Sequence, residues 1–245
     1  MNTFVINLKD DLLKRDFMRN QLDNIGISYQ FIEAIDGRIM SDNTIKQLAY
    51  DYPDCYLTKG EIGCALSHMA IYKKMIEDNI EIALILEDDA LLPSNIYSKL
   101  IDIKNIDKSS KPNVYILTKT ESYIKNKQLN NNIYYAYSVS GTYGYVINKA
   151  AAKSLLSKLT PIKYEADMWS TFKRQGLINL YCHIPHLIDN NDKDSSKSSI
   201  HQERLIRKNK REHYRHLLKK KEPNYQFNRI KDVILRKFFY KIEQY

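Results

Sequence analysis

The stretch Ile82-Ala83-Leu84-Ile85-Leu86-Glu87-Asp88-Asp89 decides the fold. Its five consecutive apolar residues, two of them β-branched, predict a strand buried on both faces, as in the middle of a parallel sheet. Three carboxylates follow without a gap. A buried strand ending in adjacent carboxylates places them at the carboxyl edge of the sheet, where open α/β sheets bind their ligands. Three negative charges that close repel one another, so a positive group is expected among them. Oxygen-only ligands on a short turn suit Mg²⁺ or Mn²⁺, which commonly take one or two carboxylates plus oxygens of a substrate phosphate. The same residues read equally well as a solvated acidic turn capping the next element.

A chain of 245 residues is ample for one large α/β domain and short for two. An apolar fraction of 43% against 27% charged residues predicts a full core. No run of ~20 apolar residues is present, so no spanning helix is expected. The amino terminus goes directly into a strand-like run with no charged-then-apolar leader. Cys55, Cys64 and Cys182 are odd in number and unrelated in spacing. They read as reduced thiols of a cytosolic protein, with neither a disulfide frame nor a zinc site. Fourteen of the 38 basic residues but only four of the 29 acidic ones fall in 204–245, so the net charge of +9 belongs to the tail.

In chain order, 3–8 predicts a first strand. Leu13, Phe17, Met18, Leu22 and Ile25 follow at helical spacing, with Gly26 as a stop. Residues 27–34 predict a second strand and Asp36-Gly37 a turn, a βαβ opening with parallel strands. Asp36 could accept a hydrogen bond from a ribose hydroxyl or simply initiate the turn. With seven glycines and no glycine-rich loop, a dinucleotide fingerprint or P-loop is disfavoured. Thr58 with Glu61 predicts a capping box that opens a helix. Gly60, Cys64 and His68 share one face of that helix, so it can approach another backbone or a ligand closely.

Val5-Ile6-Asn7-Leu8, Arg15, Phe31 with Ala34 and Asp36-Gly37, the run Gly60-Glu61-Ile62-Gly63-Cys64-Ala65-Leu66-Ser67-His68, and Leu86-Glu87-Asp88-Asp89 together resemble the successive motifs of glycosyltransferase family 25. This is the family of bacterial lipooligosaccharide galactosyltransferases and of the collagen galactosyltransferases. The resemblance covers roughly residues 3–200. It implies a glycosyltransferase-A type fold, a nucleotide-sugar donor, most often UDP-galactose, a divalent metal and inversion at the anomeric carbon, hence a β-galactosyltransferase. Donor contacts are implied for Asn7, Arg15, Asp36, Glu87, Asp88 and Gly141. Metal ligation is implied for Asp89 with Glu87, and for a histidine from the carboxyl-terminal part, His183 or its neighbour His186.

Farther along, 113–118 predicts a strand, 120–132 a polar surface loop, and 140–147 the family's glycine-aromatic strand. Asn148 is placed to cap a helix over 149–159. Asp167 matches the carboxylate the family carries after Pro161 and is the candidate base; Glu165 is its rival, and either could instead stabilise a helix dipole. Residues 178–182 predict a late strand and Asp189–Ser199 a polar lid loop. Ser198-Ser199-Ile200 resembles the family's last motif. The tail reads as a basic helix over 205–221, then a stripe of Phe227, Ile230, Ile234, Phe238 and Ile242 suited to an anionic membrane surface.

The expectation is therefore an α/β enzyme with a mainly parallel central sheet and flanking helices. It has a catalytic domain over 1–203 and a basic amphipathic helical tail over 204–245. It would move a hexose from a UDP-hexose onto a lipid-linked oligosaccharide acceptor with Mn²⁺ or Mg²⁺, at the inner face of the bacterial cytoplasmic membrane. Competing readings are a metal-dependent phosphohydrolase using the same carboxylates and a basic nucleic-acid-binding protein; no nucleic-acid partner is expected.

Overall fold

The computed structural model describes residues 1–108, 110–191 and 201–245. The chain opens with β1 (Asn2–Asn7), α1 (Leu12–Ile25), β2 (Gln30–Glu33), a 3-10 turn at Gly37–Ile39, α2 (Asp42–Leu48) and α3 (Lys59–Glu77). It continues through β3 (Ile82–Glu87), β4 (Ala90–Leu91), α4 (Ile96–Ile106), β5 (Asn113–Ile116), β6 (Thr120–Asn130), β7 (Ile133–Val139) and β8 (Gly144–Asn148). Next come α5 (Lys149–Leu159), α6 (Trp169–Arg174), β9 (Asn179–His183) and β10 (Asp189–Asn190). The last elements are α7 (His201–Lys220), α8 (Tyr225–Ile234), a π-helical turn at Leu235–Phe239 and β11 (Ile242–Gln244).

Nine strands form one sheet in the order β11-β6-β7-β9-β5-β8-β3-β1-β2. The α/β class with a large central sheet and flanking helices stands as read from the sequence. The sheet, however, is mixed rather than mainly parallel. Only β1–β2, β1–β3 and β5–β9 run parallel, and β8 is inserted antiparallel between β3 and β5. A continuous apolar run reports burial on two faces, and either strand direction can supply that.

Side-chain alternation divides the core into two layers. Phe4, Ile6, Ala83, Ile85, Tyr145 and Ile147 face α3 and α5, packing on Ile62, Met69, Met75 and Leu155. Val5, Leu84, Leu86, Tyr115 and Val146 face the other way, onto Met18 and Leu22 of α1 and Ile96, Leu100 and Ile103 of α4. Each such aliphatic side chain contributes about 1.5–3 kcal/mol when fully buried. Leu13, expected on the buried stripe of α1, is solvent-exposed.

The caps are those the sequence predicts. Thr58 and Glu61 form the full capping box on α3, Asn148 accepts from Ala151 N to start α5, and Gly26 ends α1 in the left-handed conformation. Residues 120–132 are not a loop. They form β6 and its tight connection to β7, where Asn130 Oδ1 accepts from the backbone of Asn132 and Ile133. The polar run misleads because only the first half of β6, including Tyr123 and Ile124, is buried.

The chain after 203 is not separate from the sheet. β11 pairs with β6, and α7 buries Arg211 and Leu218 against the body. Of the apolar stripe, Phe227, Ile230, Ile234 and Phe238 are 45–67% exposed, while Ile242 leaves the helix for β11. Among the described residues no helix is long and apolar enough to cross a membrane. The expected lid is described only to residue 191, with Asp189 and Asn190 pairing with Leu91 and Ala90. The Ser198-Ser199-Ile200 motif lies outside the described residues.

One backbone contact fixes where α3 begins. A Cβ on Gly63 would lie 2.4 Å from Ile35 O and 2.5 Å from Gly37 N, and one on Gly37 would lie 1.9 Å from Lys59 O. Ser67 Oγ ties the same joint, donating to Gly63 O and accepting from Ile35 N, both at 2.8 Å. Replacing Gly63 with alanine is expected to cost about 1–3 kcal/mol through overpacking. The check is a lower denaturant midpoint at unchanged slope; an unchanged midpoint would refute the contact.

Candidate active site

The three carboxylates at the end of β3 line one cleft but take different partners, because alternation turns Glu87 and Asp88 toward opposite faces of the sheet. Glu87 follows Ile85 toward α3. Its Oε1 accepts from Thr142 Oγ1 and from His68 Nε2 at 3.3 Å. His68 Nδ1 in turn meets Tyr145 OH at 2.8 Å, and that hydroxyl meets Tyr72 OH at 2.8 Å. Asp88 follows Leu86 toward α1, where it accepts from Asn7 Nδ2 at 2.9 Å and pairs with Lys14 at 3.4 Å. Asp89 Oδ2 accepts from Asn190 Nδ2 at 2.9 Å.

These surroundings set the charges. Burial alone would push Glu87 up, but the hydrogen bond and attraction of His68, with Thr142 and Lys14, hold it below the usual carboxylate range. Asp88 goes the other way: burial raises it, and Lys14 and Asn7 only partly offset that.

Glu87, Asp88 and Asp89 open into a cleft of about 490 Å³ between the ends of β1 and β3, the turn after β2 and the start of α3. Its lining carries five carboxylates, adding Asp11 and Asp36, against two cations, Lys14 and Arg38. Asn7 Oδ1, at the base of the cleft, is buried without a hydrogen-bond partner among the described residues. A hard divalent cation fits this oxygen-rich, negatively charged lining. Cys64, His68 and Glu87 also bring potential ligand atoms within 4.8 Å of one another. Burial, then the charges of Glu87 and Asp167, push the Cys64 thiol well up, and both His68 nitrogens are engaged. As arranged, His68 is a hydrogen-bonded support for Glu87.

Asp167 and Glu165 lie on a second cavity, beyond the first turn of α3. Glu165 is buried and clamped by Arg211, Nε to Oε1 at 3.0 Å and Nη2 to Oε2 at 2.8 Å. Burial would raise it, but the hydrogen bonds and charge of Arg211, with Arg215 behind, hold it low. The Asp167 carboxylate accepts from Gly141 N at 3.3 Å. Its carboxyl is raised by burial and by the charges of Glu165 and Glu87, against the pull of Arg204 and Gly141. Of the two, Asp167 is the one whose proton affinity is raised.

The other expected residues divide. Asn7 and Asp36 line the cleft, Asp36 capping the 3-10 turn and pairing with Arg38 at 2.7 Å. Arg15 instead stacks on the Phe31 ring at 4.3 Å, and the adjacent Lys14 reaches the cleft in its place. His183 does not join Asp89. Its strand is three places from β3 in the sheet, about 14 Å away at the usual spacing, and its Nδ1 lies 2.6 Å from Pro185 O. His186 pairs with Asp189 at 2.9 Å. Gly141 has φ of 81° and joins the two sites: its N–H holds Asp167 while the next residue, Thr142, holds Glu87. Trp169 Nε1 donates to Gly141 O at 2.8 Å. Thr142, Trp169 and Lys14 were not legible as site residues, since none carries a distinctive spacing.

Residues 1–170 match glycosyltransferase family 25, described as LPS biosynthesis protein. The chain belongs to this family of glycosyltransferases. It is 36% identical over 115 residues to human procollagen galactosyltransferase 2, a match covering 43% of this chain and 18% of that protein. It is 34% identical over 105 residues to a mouse protein called inactive glycosyltransferase 25 family member 3, covering 40% of this chain and 18% of the relative. The matched segment thus spans less than a fifth of these relatives' length. A solved glycosyltransferase involved in glycosylation of the major capsid of PBCV-1 superposes with a TM-score of 0.40 at 11% identity, covering 88% of this chain and 98% of that one.

The two acids of the second cavity should separate on stability. Glu165→Gln leaves Arg211 buried without its counter-charge, a loss of about 3–5 kcal/mol. Held low in the fold, Glu165 contributes stability that is present above its unfolded pKa and lost as pH falls through the folded one. Asp167 has the opposite sign: raised in the fold, its ionised form costs stability as pH rises above its unfolded pKa. Asp167→Asn should therefore melt no lower than wild type at pH 8, with any advantage vanishing in acid. Thermal unfolding of both variants across pH checks this; a reversed order would exchange their roles.

Proposed function

We propose that this protein is an inverting, metal-dependent glycosyltransferase that moves a hexose from a UDP-sugar onto a sugar acceptor. The supporting observation is the pairing of two unlike carboxylate sites across α3. One is a cleft whose acidic lining would repel a nucleoside diphosphate unless a cation bridged them. The other holds Asp167, whose carboxyl is raised by burial, the direction that suits a general base. Asp88 and Asp89 would hold Mn²⁺ or Mg²⁺, which when bound neutralises charge on the departing diphosphate. In the reaction the acceptor hydroxyl oxygen bonds to the anomeric carbon as the bond from that carbon to the UDP phosphate oxygen breaks. Asp167 takes the hydroxyl proton, and UDP leaves with the electron pair.

The procollagen galactosyltransferase named among the relatives favours galactose, hence UDP-galactose and a β-linked product. The family's description as an LPS biosynthesis protein favours a lipid-linked oligosaccharide acceptor at the inner face of a bacterial membrane. UDP release measured over a panel of nucleotide sugars, with and without Mn²⁺, tests the reading, and a relative called inactive makes it the first experiment. Asp89→Asn should abolish transfer, and Asp167→Asn should lower turnover by ~10²–10⁴-fold while donor affinity is kept. Activity undiminished by a chelator would remove the metal from the proposal, and release of phosphate instead of UDP would favour a phosphohydrolase.

Membrane association would rest on the exposed stripe of α8 and the π-helical turn, flanked by Arg229, Arg236 and Lys237. Anionic headgroups attract each nearby Lys or Arg by about 1 kcal/mol. Deleting 204–245 would also strip Arg211 from Glu165, so point substitutions give the sharper test. Phe227→Ser with Phe238→Ser, both more than 60% exposed, should keep activity on a soluble acceptor and lose sedimentation with phosphatidylglycerol vesicles at low salt. Equal sedimentation of variant and wild type would count against a membrane role for the stripe.

A further inference from the structure

The cavity beside Asp167 has a volume of about 280 Å³, and one wall of it is α7. Arg204, Arg207, Lys208, Arg211 and Arg215 follow one another on that helix at steps of one, three or four residues, so they share a face. All five line the cavity. Against them stand Glu61, Glu165, Asp167 and Glu212. Two of these acids are already committed: Arg211 clamps Glu165, and Arg204 Nε donates to Glu61 Oε1 at 2.7 Å. Arg215 also reaches Glu165, its Nη2 3.7 Å from Oε1, and with Arg207 and Lys208 included the cavity sets five cations against four acids, a surplus of positive charge. Arg207 spends one N–H on Leu57 O at 3.1 Å, and Arg215 Nε is buried without a partner among the described residues.

The two cavities thus carry opposite signs. The cleft at the end of β3 is acidic and needs a cation before a diphosphate can enter, whereas the α7 cavity can take an anion directly. They adjoin across Cys64, whose thiol feels both Glu87 and Asp167. We propose that the α7 cavity is the acceptor subsite, and that Arg207, Lys208 and Arg215 bind an anionic substituent, a phosphate or a carboxylate, on the sugar that receives the hexose. The inference rests on the reading of Asp167 as the base. It gives the basic residues of 204–215 a substrate role in place of a membrane one.

The test is equilibrium binding of glucose 6-phosphate, glucuronate and glucose to the full-length chain, with and without excess UDP and Mn²⁺. At least one charged sugar should bind well ahead of glucose, with an affinity that falls as salt rises and is unaffected by UDP. Preference for the phosphate or for the carboxylate identifies the substituent. In an Arg207→Gln, Lys208→Gln double variant the affinity should fall about tenfold, the value of roughly one lost charge-assisted contact. Should that variant fail to fold, Lys208→Glu alone, at an exposed position, should weaken binding in the same direction. Glucose binding as tightly as the charged sugars, displacement by UDP, insensitivity to the substitutions, or no binding of any probe would each overturn the proposal. Failure of the transferase reading is distinguishable, since a protein that releases UDP from no nucleotide sugar could still show this anion binding.

Discussion

Alternation along a β-strand sends neighbouring side chains to opposite faces, and at the end of β3 it gives adjacent carboxylates different partners. Glu87 goes to the α3 side, where His68 and Thr142 await it, and Asp88 goes to the α1 side, where Asn7 and Lys14 do. Each carboxylate therefore depends on a different helix being in place. That requirement explains the tight joint between Gly37 and Gly63, which sets the depth of α3 and with it the position of His68. It also explains why the buried hydroxyls of Tyr145 and Tyr72 line up behind His68. A histidine supporting a carboxylate in the core needs its second nitrogen satisfied as well.

Much of this was legible in the sequence, for physical reasons that differ by element. The capping box at Thr58, the stop at Gly26 and the cap at Asn148 are local interactions, complete within four residues of chain. The double-sided burial of 82–86 follows from its apolar run. Strand direction does not, which is why β8 could enter antiparallel beside β3 unannounced. The polar half of β6 hid a strand for a related reason: its pairing is made through the backbone, which composition does not report.

At the site, adjacency in sequence was a better guide to place than to surroundings. Glu87, Asp88 and Asp89 line one cleft but are held by different elements, and Glu165 and Asp167, two residues apart, have opposite electrostatic fates. His183 was drawn toward Asp89 by resemblance and lies three strands away. The tail shows the converse. Its charge suggested a single role, yet Arg211 is a buried partner of Glu165, other basic residues of α7 line a cavity, and α8 with the turn after it presents an apolar stripe to solvent. Helical periodicity identifies which residues share a face; what that face meets is a tertiary fact.

Between the nitrogen that holds Asp167 and the hydroxyl that holds Glu87 there is a single peptide unit, planar by resonance, with its carbonyl pinned by Trp169 Nε1 at 2.8 Å. Gly141 N–H lies in the preceding peptide plane and Thr142 Oγ1 on a side chain, so the soft dihedrals of Gly141 and Thr142 stand between the two contacts, and the bond from Trp169 restrains the plane in the middle. Two adjacent residues and one indole thus tie the Asp167 carboxylate and the Glu87 carboxylate to the same short piece of backbone.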